Sequence, residues 1–143
     1  MNSTKPNNKL VLIAEDDSDE QYFICNAVKT LEYPVTILFV EHGQEVLNVL
    51  KAGQKPDMIM LDLNMPVMDG MQTLKILKSS KSYSHIPVVV YTTSHSEQDV
   101  HESYQFGANT YIAKPTGFME MESCLRCLFD YWFKAATLDT HGC

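Results

Sequence analysis

With 143 residues, the chain has room for one domain with a sizeable core and little for a second. Hydrophobic residues make up 45% and charged residues 20%, an ordinary balance for a globular protein, and no apolar run approaches the roughly 20 residues needed to cross a bilayer. A formal charge of −7, with 11 Lys and Arg scattered along the chain, argues against a nucleic-acid surface, because a phosphate backbone is held by clustered cations.

The opening MNSTKPNNK is polar and lacks the apolar segment of a secretory signal, so residues 1–8 are expected to form a flexible tail and the protein to be cytoplasmic. Four cysteines without such a signal, Cys25, Cys124, Cys127 and Cys143, read as free thiols. Cys124 and Cys127 make a C-x-x-C on a predicted helix, away from the strand-to-helix turn of a thioredoxin-type motif, and read as packing thiols.

In chain order, Leu10 to Ala14 is a first apolar run and ends in Glu15-Asp16-Asp17. Ser18 followed by Gln21 is a capping-box pattern, opening a helix to about Leu31 with Tyr22, Ile24, Cys25 and Val28 available to a buried face. Val35 to Val40 is the second run, and Gly43 to Ala52 a helix carrying Val46, Leu47 and Leu50 until Gly53 and Pro56 stop it. Met58 to Leu61 closes on Asp62, and Met71 to Ser80 follows as a helix with Leu74, Ile76 and Leu77. Val88 to Thr92 leads into Thr93-Ser94, then a weaker helix from about Glu97 to Phe106, ended by Gly107. Thr110 to Ala113 leads into Lys114-Pro115, and a last helix from about Phe118 to Ala136 aligns Met121, Leu125, Leu128 and Trp132.

Runs rich in Val, Ile, Leu and Met with little alternation suit strands buried on both faces. Five of them, each followed by a helix, imply crossover connections and a doubly wound, five-stranded parallel α/β sheet. In such sheets ligands bind outside the carboxyl ends of the strands. Four distant segments therefore bring acids, a hydroxyl and a lysine to one edge: Glu15-Asp16-Asp17, Asp62, Thr92 and Lys114.

Two carboxylates about 4 Å apart repel by roughly 4 kcal/mol at an effective dielectric of about 20, so an acidic cluster in a cleft needs a cation. Oxygen ligands without His or Cys suit Mg²⁺. Asp62 could then attack phosphorus as a carboxylate nucleophile, with Lys114 supplying a point charge and Thr92 a hydrogen bond to the phosphoryl oxygens. Taken singly, each residue has a plainer use: the acidic triplet as a helix N-terminus, Asp62 as a cap on the Asn64–Gly70 loop, Thr92 as a strand residue and Lys114 as surface charge.

LVLIAEDD, MIMLDLNMPVMDG, VVVYTTS and GANTYIAKP together resemble, in order and spacing, the motifs of the receiver domain of two-component response regulators, over Lys9 to Ala136. That resemblance implies a flavodoxin-like (βα)5 fold with strand order 2-1-3-4-5, a receiver domain over 9–137 and a C-terminal tail at 138–143. It implies Asp62 as phosphoacceptor, supplied by a sensor histidine kinase or histidine phosphotransfer protein. Asp16, Asp62 and the Asn64 backbone carbonyl would hold Mg²⁺, with Glu15 acting through water. Thr92 and Tyr111 would form the switch, Lys114 would pair with the phosphoryl group, and Lys114-Pro115 is commonly cis in the family. DLNMP, IPVVVYTTS, SYQFGANTYIAKP and FDYWF are most similar to regulators associated with bacterial phytochromes. This implies a homodimer through the fourth helix, fifth strand and fifth helix, with Phe129, Tyr131, Trp132 and Phe133 available. Because the chain stops soon after the fifth helix, the signal is expected to leave by a surface, to a downstream protein the sequence does not name, with no nucleic acid and no membrane involved. The only enzymatic behaviour expected is self-phosphorylation from a phosphodonor and autodephosphorylation. Two rival readings are a phosphorylation-independent interaction module and a phosphatase of the haloacid dehalogenase type. The latter is opposed by Asn64 standing where a second acid would be needed.

Overall fold

The computed structural model describes residues 8–139. Strands and helices alternate: β1 (Lys9–Ala14), α1 (Ser18–Leu31), β2 (Val35–Val40), α2 (Gly43–Lys51), β3 (Met58–Leu61), α3 (Gly70–Ser79), β4 (Val88–Thr92), α4 (Glu97–Gln105), β5 (Thr110–Ala113) and α5 (Phe118–Asp130). All neighbouring strands are parallel, in the order β2-β1-β3-β4-β5. This is the expected flavodoxin-like α/β fold, whose winding reverses between β1 and β3.

The apolar runs lack alternation because successive residues feed two cores. Leu12, Ala14, Ile59, Leu61, Val88 and Val90 pack on one face with Val46 and Leu50 of α2 and Leu74 and Leu77 of α3. Val11, Ile13, Met58, Met60, Val89 and Tyr91 pack on the other with Ile24 and Val28 of α1 and Leu125 and Leu128 of α5. Each fully buried aliphatic side chain contributes about 1.5–3 kcal/mol, so the sheet is anchored from both sides. Register then sets the functional edge. Ala14 lies opposite Leu61, and Thr92 opposite Ala113. The next residues, Glu15 and Asp62, are thereby held side by side, and Lys114, following Ala113, sits beside Thr92.

Several local expectations are corrected. The N-cap of α1 is Asp17, whose side chain accepts from the Asp19 N–H; Ser18 is already helical. Gln21 does not close a capping box but donates its Nε2 to the Glu15 carbonyl at 2.8 Å. The buried face of α1 is Ile24, Ala27 and Val28, while Tyr22 and Cys25 face solvent. The last helix gives way after Asp130 to a π-helical turn, Tyr131–Ala135. Phe129 is fully buried, so it is not available to a partner. Among the described residues no peptide bond is cis, and Lys114-Pro115 is trans, the isomer favoured by about 0.5–1 kcal/mol for X–Pro. The tails assigned to 1–8 and 138–143 lie, for residues 1–7 and 140–143, outside the described residues.

Candidate functional site

Asp62 is the first residue beyond β3, where the apolar strand runs out; its N–H still bonds to the Ala14 carbonyl at 3.2 Å. Its position is fixed from behind by Gly70, because a Cβ there would run into the Asp62 carbonyl. Glu15 occupies the same level after β1, its N–H bonded to Val40 O at 2.9 Å. Glu15 and Asp62 are buried and Asp16 is exposed. One carboxylate oxygen from each of the three lies within 4.8 Å of the others.

A single ammonium faces this cluster. Lys114 Nζ lies 2.5 Å from Glu15 Oε1 and 3.2 Å from Asp62 Oδ2, its side chain 8% exposed. The lysine is aimed by the ladder, since its N–H bonds to the Thr92 carbonyl at 2.7 Å. Asp62 Oδ1 accepts the Asn64 N–H at 3.1 Å, and Glu15 Oε2 accepts the Asp17 N–H at 3.1 Å. Carboxylates therefore outnumber cations at the edge. Burial pushes the Glu15 carboxyl up to about 7, against the opposing pull of Lys114, and Asp62 pushes in the same direction as burial. For Lys114, burial pulls downward, but the Glu15 hydrogen bond and the Asp62 and Glu15 charges outweigh it and raise the ammonium. The two shifts differ in origin: burial raises the Glu15 carboxyl, whereas the neighbouring carboxylates raise the Lys114 ammonium against burial.

Thr92 is fully buried and its Oγ1 has no hydrogen-bond partner. A buried, unmet hydroxyl costs about 1–3 kcal/mol, a penalty that a ligand oxygen at the edge would remove. Thr93 is exposed. Tyr111 is half-buried, with its hydroxyl donating to the Ser94 carbonyl at 3.0 Å and its N–H donating to the Tyr104 hydroxyl at 3.0 Å. Ser94 is itself held by Asp99 at 2.6 Å. Asn64 is exposed, with its backbone N–H beside Asp62.

The structure thus brings Glu15, Asp16, Asp62, Thr92 and Lys114 to one edge and ties Tyr111 to the neighbouring β4–α4 loop. Asp17 serves α1 as its cap and stands apart from the carboxylate cluster. Sequence reasoning missed the Tyr111–Ser94–Asp99 chain; its one legible signal is SEQD, a capping pattern in which Ser96 accepts the Asp99 N–H and fixes that acid.

A parallel α/β sheet carrying an acidic cluster and one lysine at its carboxyl edge defines a class of signalling domains in which such clusters are typical of phosphorylation sites. The family model described as response regulator receiver domain matches residues 11–126, and the chain belongs to that family. Response regulator Rcp1 of Synechocystis sp. (strain ATCC 27184 / PCC 6803 / Kazusa) is 29% identical over 136 residues, covering 91% of this chain and 92% of its own length. The phosphorylated cyanobacterial phytochrome response regulator RcpA superposes with a TM-score of 0.86 at 30% identity, over 93% of this chain and 99% of that one. The Mn²⁺-bound form of response regulator Rcp1 gives 0.83 at 28% identity, over 92% of this chain and 99% of that one. The protein is a CheY-like receiver of two-component signalling, a class that works with histidine kinases and is usually not a true enzyme. The acidic cluster fits a divalent-metal site. No helix among the described residues is long and apolar enough to cross a membrane.

Proposed function

We propose that this receiver takes a phosphoryl group onto Asp62 from a phosphohistidine on a sensor histidine kinase or a histidine phosphotransfer protein, and passes the signal on by a conformational switch to a downstream protein. The observation that carries this is the Asp62 carboxylate, buried at the switch point beside two further acids, with the Lys114 ammonium 3.2 Å away. In the transfer, an Asp62 oxygen bonds to phosphorus while the P–N bond of a phosphoimidazole protonated on its other ring nitrogen breaks, leaving an acyl phosphate and a neutral imidazole that keeps that proton. Asp16, Asp62 and the Asn64 carbonyl, with Glu15 through water, are assigned to hold Mg²⁺. The all-oxygen donor set and the Mn²⁺-bound form of Rcp1 support that assignment. When bound, the ion neutralises charge on the cluster and the phosphoryl group.

The residues of the chain do the rest. Lys114 stands where it can move its ammonium from the carboxylates to the phosphoryl oxygens. Thr92 is drawn in because its hydroxyl lacks an acceptor until phosphoryl oxygens arrive. Phosphorylation adds roughly 1.5–2 negative charges at Asp62, and movement of Thr92 pulls on the loop whose Ser94 carbonyl holds Tyr111. Release of that bond lets Tyr111 turn inward and changes the α4–β5–α5 face. On that face Tyr104 and Phe118 are exposed, which supports its use for the downstream protein or a homodimer. The receiver unit is assigned to 9–137 between tails at 1–8 and 138–143, acting in the cytoplasm without nucleic acid or membrane contact.

The test is labelling of wild type and Asp62→Asn with acetyl phosphate, with and without Mg²⁺, read by intact mass and size-exclusion chromatography. One phosphoryl adduct requiring both Asp62 and Mg²⁺ is expected. An equal adduct on Asp62→Asn, or none from acetyl phosphate or any of a panel of phosphorylated kinases, overturns the reading. A dimer that appears with the adduct assigns the α4–β5–α5 face to self-association.

A further inference from the structure

Helix α4 is held to the sheet differently from the other helices. α2 buries Val46, Leu47 and Leu50, and α5 buries Leu125, Leu128 and Phe129. α4 buries Ser103 alone, and the Ser103 hydroxyl has no hydrogen-bond partner among the described residues. Little apolar surface therefore keeps α4 in place, and polar bonds carry the contact instead. One ties the helix to its own leading loop, from the Ser94 hydroxyl to Asp99 at 2.6 Å. Another crosses to β5, where the Tyr111 N–H donates to the Tyr104 hydroxyl oxygen at 3.0 Å.

The need for that crossing bond follows from the ladder. β5 forms one edge of the sheet, and the Lys114 N–H at its end points inward to the Thr92 carbonyl of β4. Successive N–H groups of a strand point to opposite sides, so the Tyr111 N–H, three residues earlier, points away from β4 to the open side of the sheet. Tyr104, 49% exposed, places its oxygen there. Tyr111 is thus tied to the α4 side twice, by its hydroxyl to the Ser94 carbonyl and by its N–H to Tyr104.

We infer that Tyr104 is a positioning residue for the switch: its hydroxyl latches α4 onto the outward amide of Tyr111 and holds the α4–β5–α5 face in its resting form. The inference rests on the reading of Tyr111 as a switch residue. One hydrogen bond between neutral groups is worth about a two- to tenfold change in an equilibrium constant, and with so little else anchoring α4 that factor weighs heavily on the balance between resting and switched forms. Ser103 acts in the opposite sense, because burying an unmet hydroxyl loosens the seat of the helix. Movement of α4 away from β5 must break the Tyr104 latch.

The experiment is amide hydrogen exchange by NMR on the full chain in wild type, Tyr104→Phe and Ser103→Ala, with the initial rate of labelling by acetyl phosphate in Mg²⁺ measured alongside. Tyr104→Phe keeps the ring and removes only the acceptor oxygen, at a half-exposed position, so the fold is retained. Exchange is expected to quicken by about two- to tenfold at Tyr111 and along α4, with the amides of Leu47 in α2 and Leu125 in α5 unchanged. Labelling is expected to quicken by a similar factor, because more of the population is already released. Ser103→Ala is expected to slow both. Unchanged exchange at Tyr111 in Tyr104→Phe overturns the latch, and a rise shared equally by Leu47 and Leu125 reduces it to a general loss of stability. Faster exchange with an unchanged labelling rate overturns the positioning role. Absence of labelling in wild type sinks the phosphorylation reading instead, and the exchange results, which need no phosphoryl group, then decide by themselves whether Tyr104 holds the face.

Discussion

The hydroxyl of Thr92 is buried without a partner, and the Lys114 ammonium is shared between two carboxylates. These two residues predict opposite effects on stability. Thr92→Val keeps the shape and removes an unmet polar group, so resting stability is expected to stay level or rise by about 1 kcal/mol, while the response to phosphorylation is lost. Urea denaturation of the unphosphorylated protein, followed by fluorescence of the single tryptophan Trp132, reads the first effect. Partner binding with and without phosphodonor reads the second. Lys114→Met strands Glu15 and Asp62 beside each other without their cation, and breaking a buried pair in this way costs about 3 kcal/mol. The same urea curves are expected to show that loss, and a midpoint equal to wild type would contradict the geometry. These residues were legible in the sequence because each follows an apolar run at its carboxyl end. Their pairing was not, because Lys114 lies 99 residues from Glu15 and 52 from Asp62 and only the register of β1, β3, β4 and β5 brings them together.

The loop between β3 and α3 and the end of α3 each carry a local tension. Val67 has φ of 66°, in the left-handed region where a β-branched side chain is strained, and it is 84% exposed, so no packing compensates. Val67→Asn is expected to stabilise the protein by about 1 kcal/mol, seen as a higher urea midpoint at unchanged slope. Lys78 donates to the Ser84 and Ile86 carbonyls at 3.0 and 2.9 Å, and burial pulls its ammonium down to about 8 from 10.5. Between those two values the folded protein has released the proton and the unfolded chain retains it, so this group makes stability rise with pH across that window. The gap in unfolding free energy between wild type and Lys78→Met is therefore expected to move in favour of wild type from pH 7.5 to pH 10. A gap independent of pH would show that the ammonium is not desolvated. Elements were legible where one physical rule dominated. Strands buried on both faces need no alternation, so the ranges of β3 and β4 follow from apolar content alone, and the partly buried edge strands β2 and β5 also keep their expected ranges. The face of α1 was misjudged because Tyr22 and Cys25 are apolar in type but off the Ile24–Ala27–Val28 stripe, where a small alanine carries little signal. The end of α5 was missed because tertiary contacts set it: Tyr33 donates to Asp130 at 2.8 Å and its ring packs against Phe129, which stacks on Phe133.

The molecule carries a net charge of −7, and at one edge three of its carboxylates meet the Lys114 ammonium. Folding holds these charges together, and unfolding lets them separate into water. A divalent cation that binds only the folded cluster must therefore stabilise the entire domain, by RT ln(1 + [Mg²⁺]/Kd), which is about 2.7 kcal/mol at a hundredfold excess over Kd. The two cores on either side of the sheet are continuous with β1 and β3, the strands that carry Glu15 and Asp62, so the gain is expected as a shift of the single cooperative transition. Urea unfolding in Mg²⁺ is expected to give that increment in wild type and little in Asp16→Asn, an exposed substitution that removes one donor while leaving both cores intact. Sodium chloride at matched ionic strength is the control. General screening acts weakly on the buried members of the cluster, so sodium is expected to reproduce only a small part of the shift. Equal stabilisation by sodium and magnesium would reduce the acidic edge to an unspecific patch of charge. An increment that requires the divalent ion and Asp16 would tie the stability of the whole fold to occupation of the acidic edge that carries Asp62.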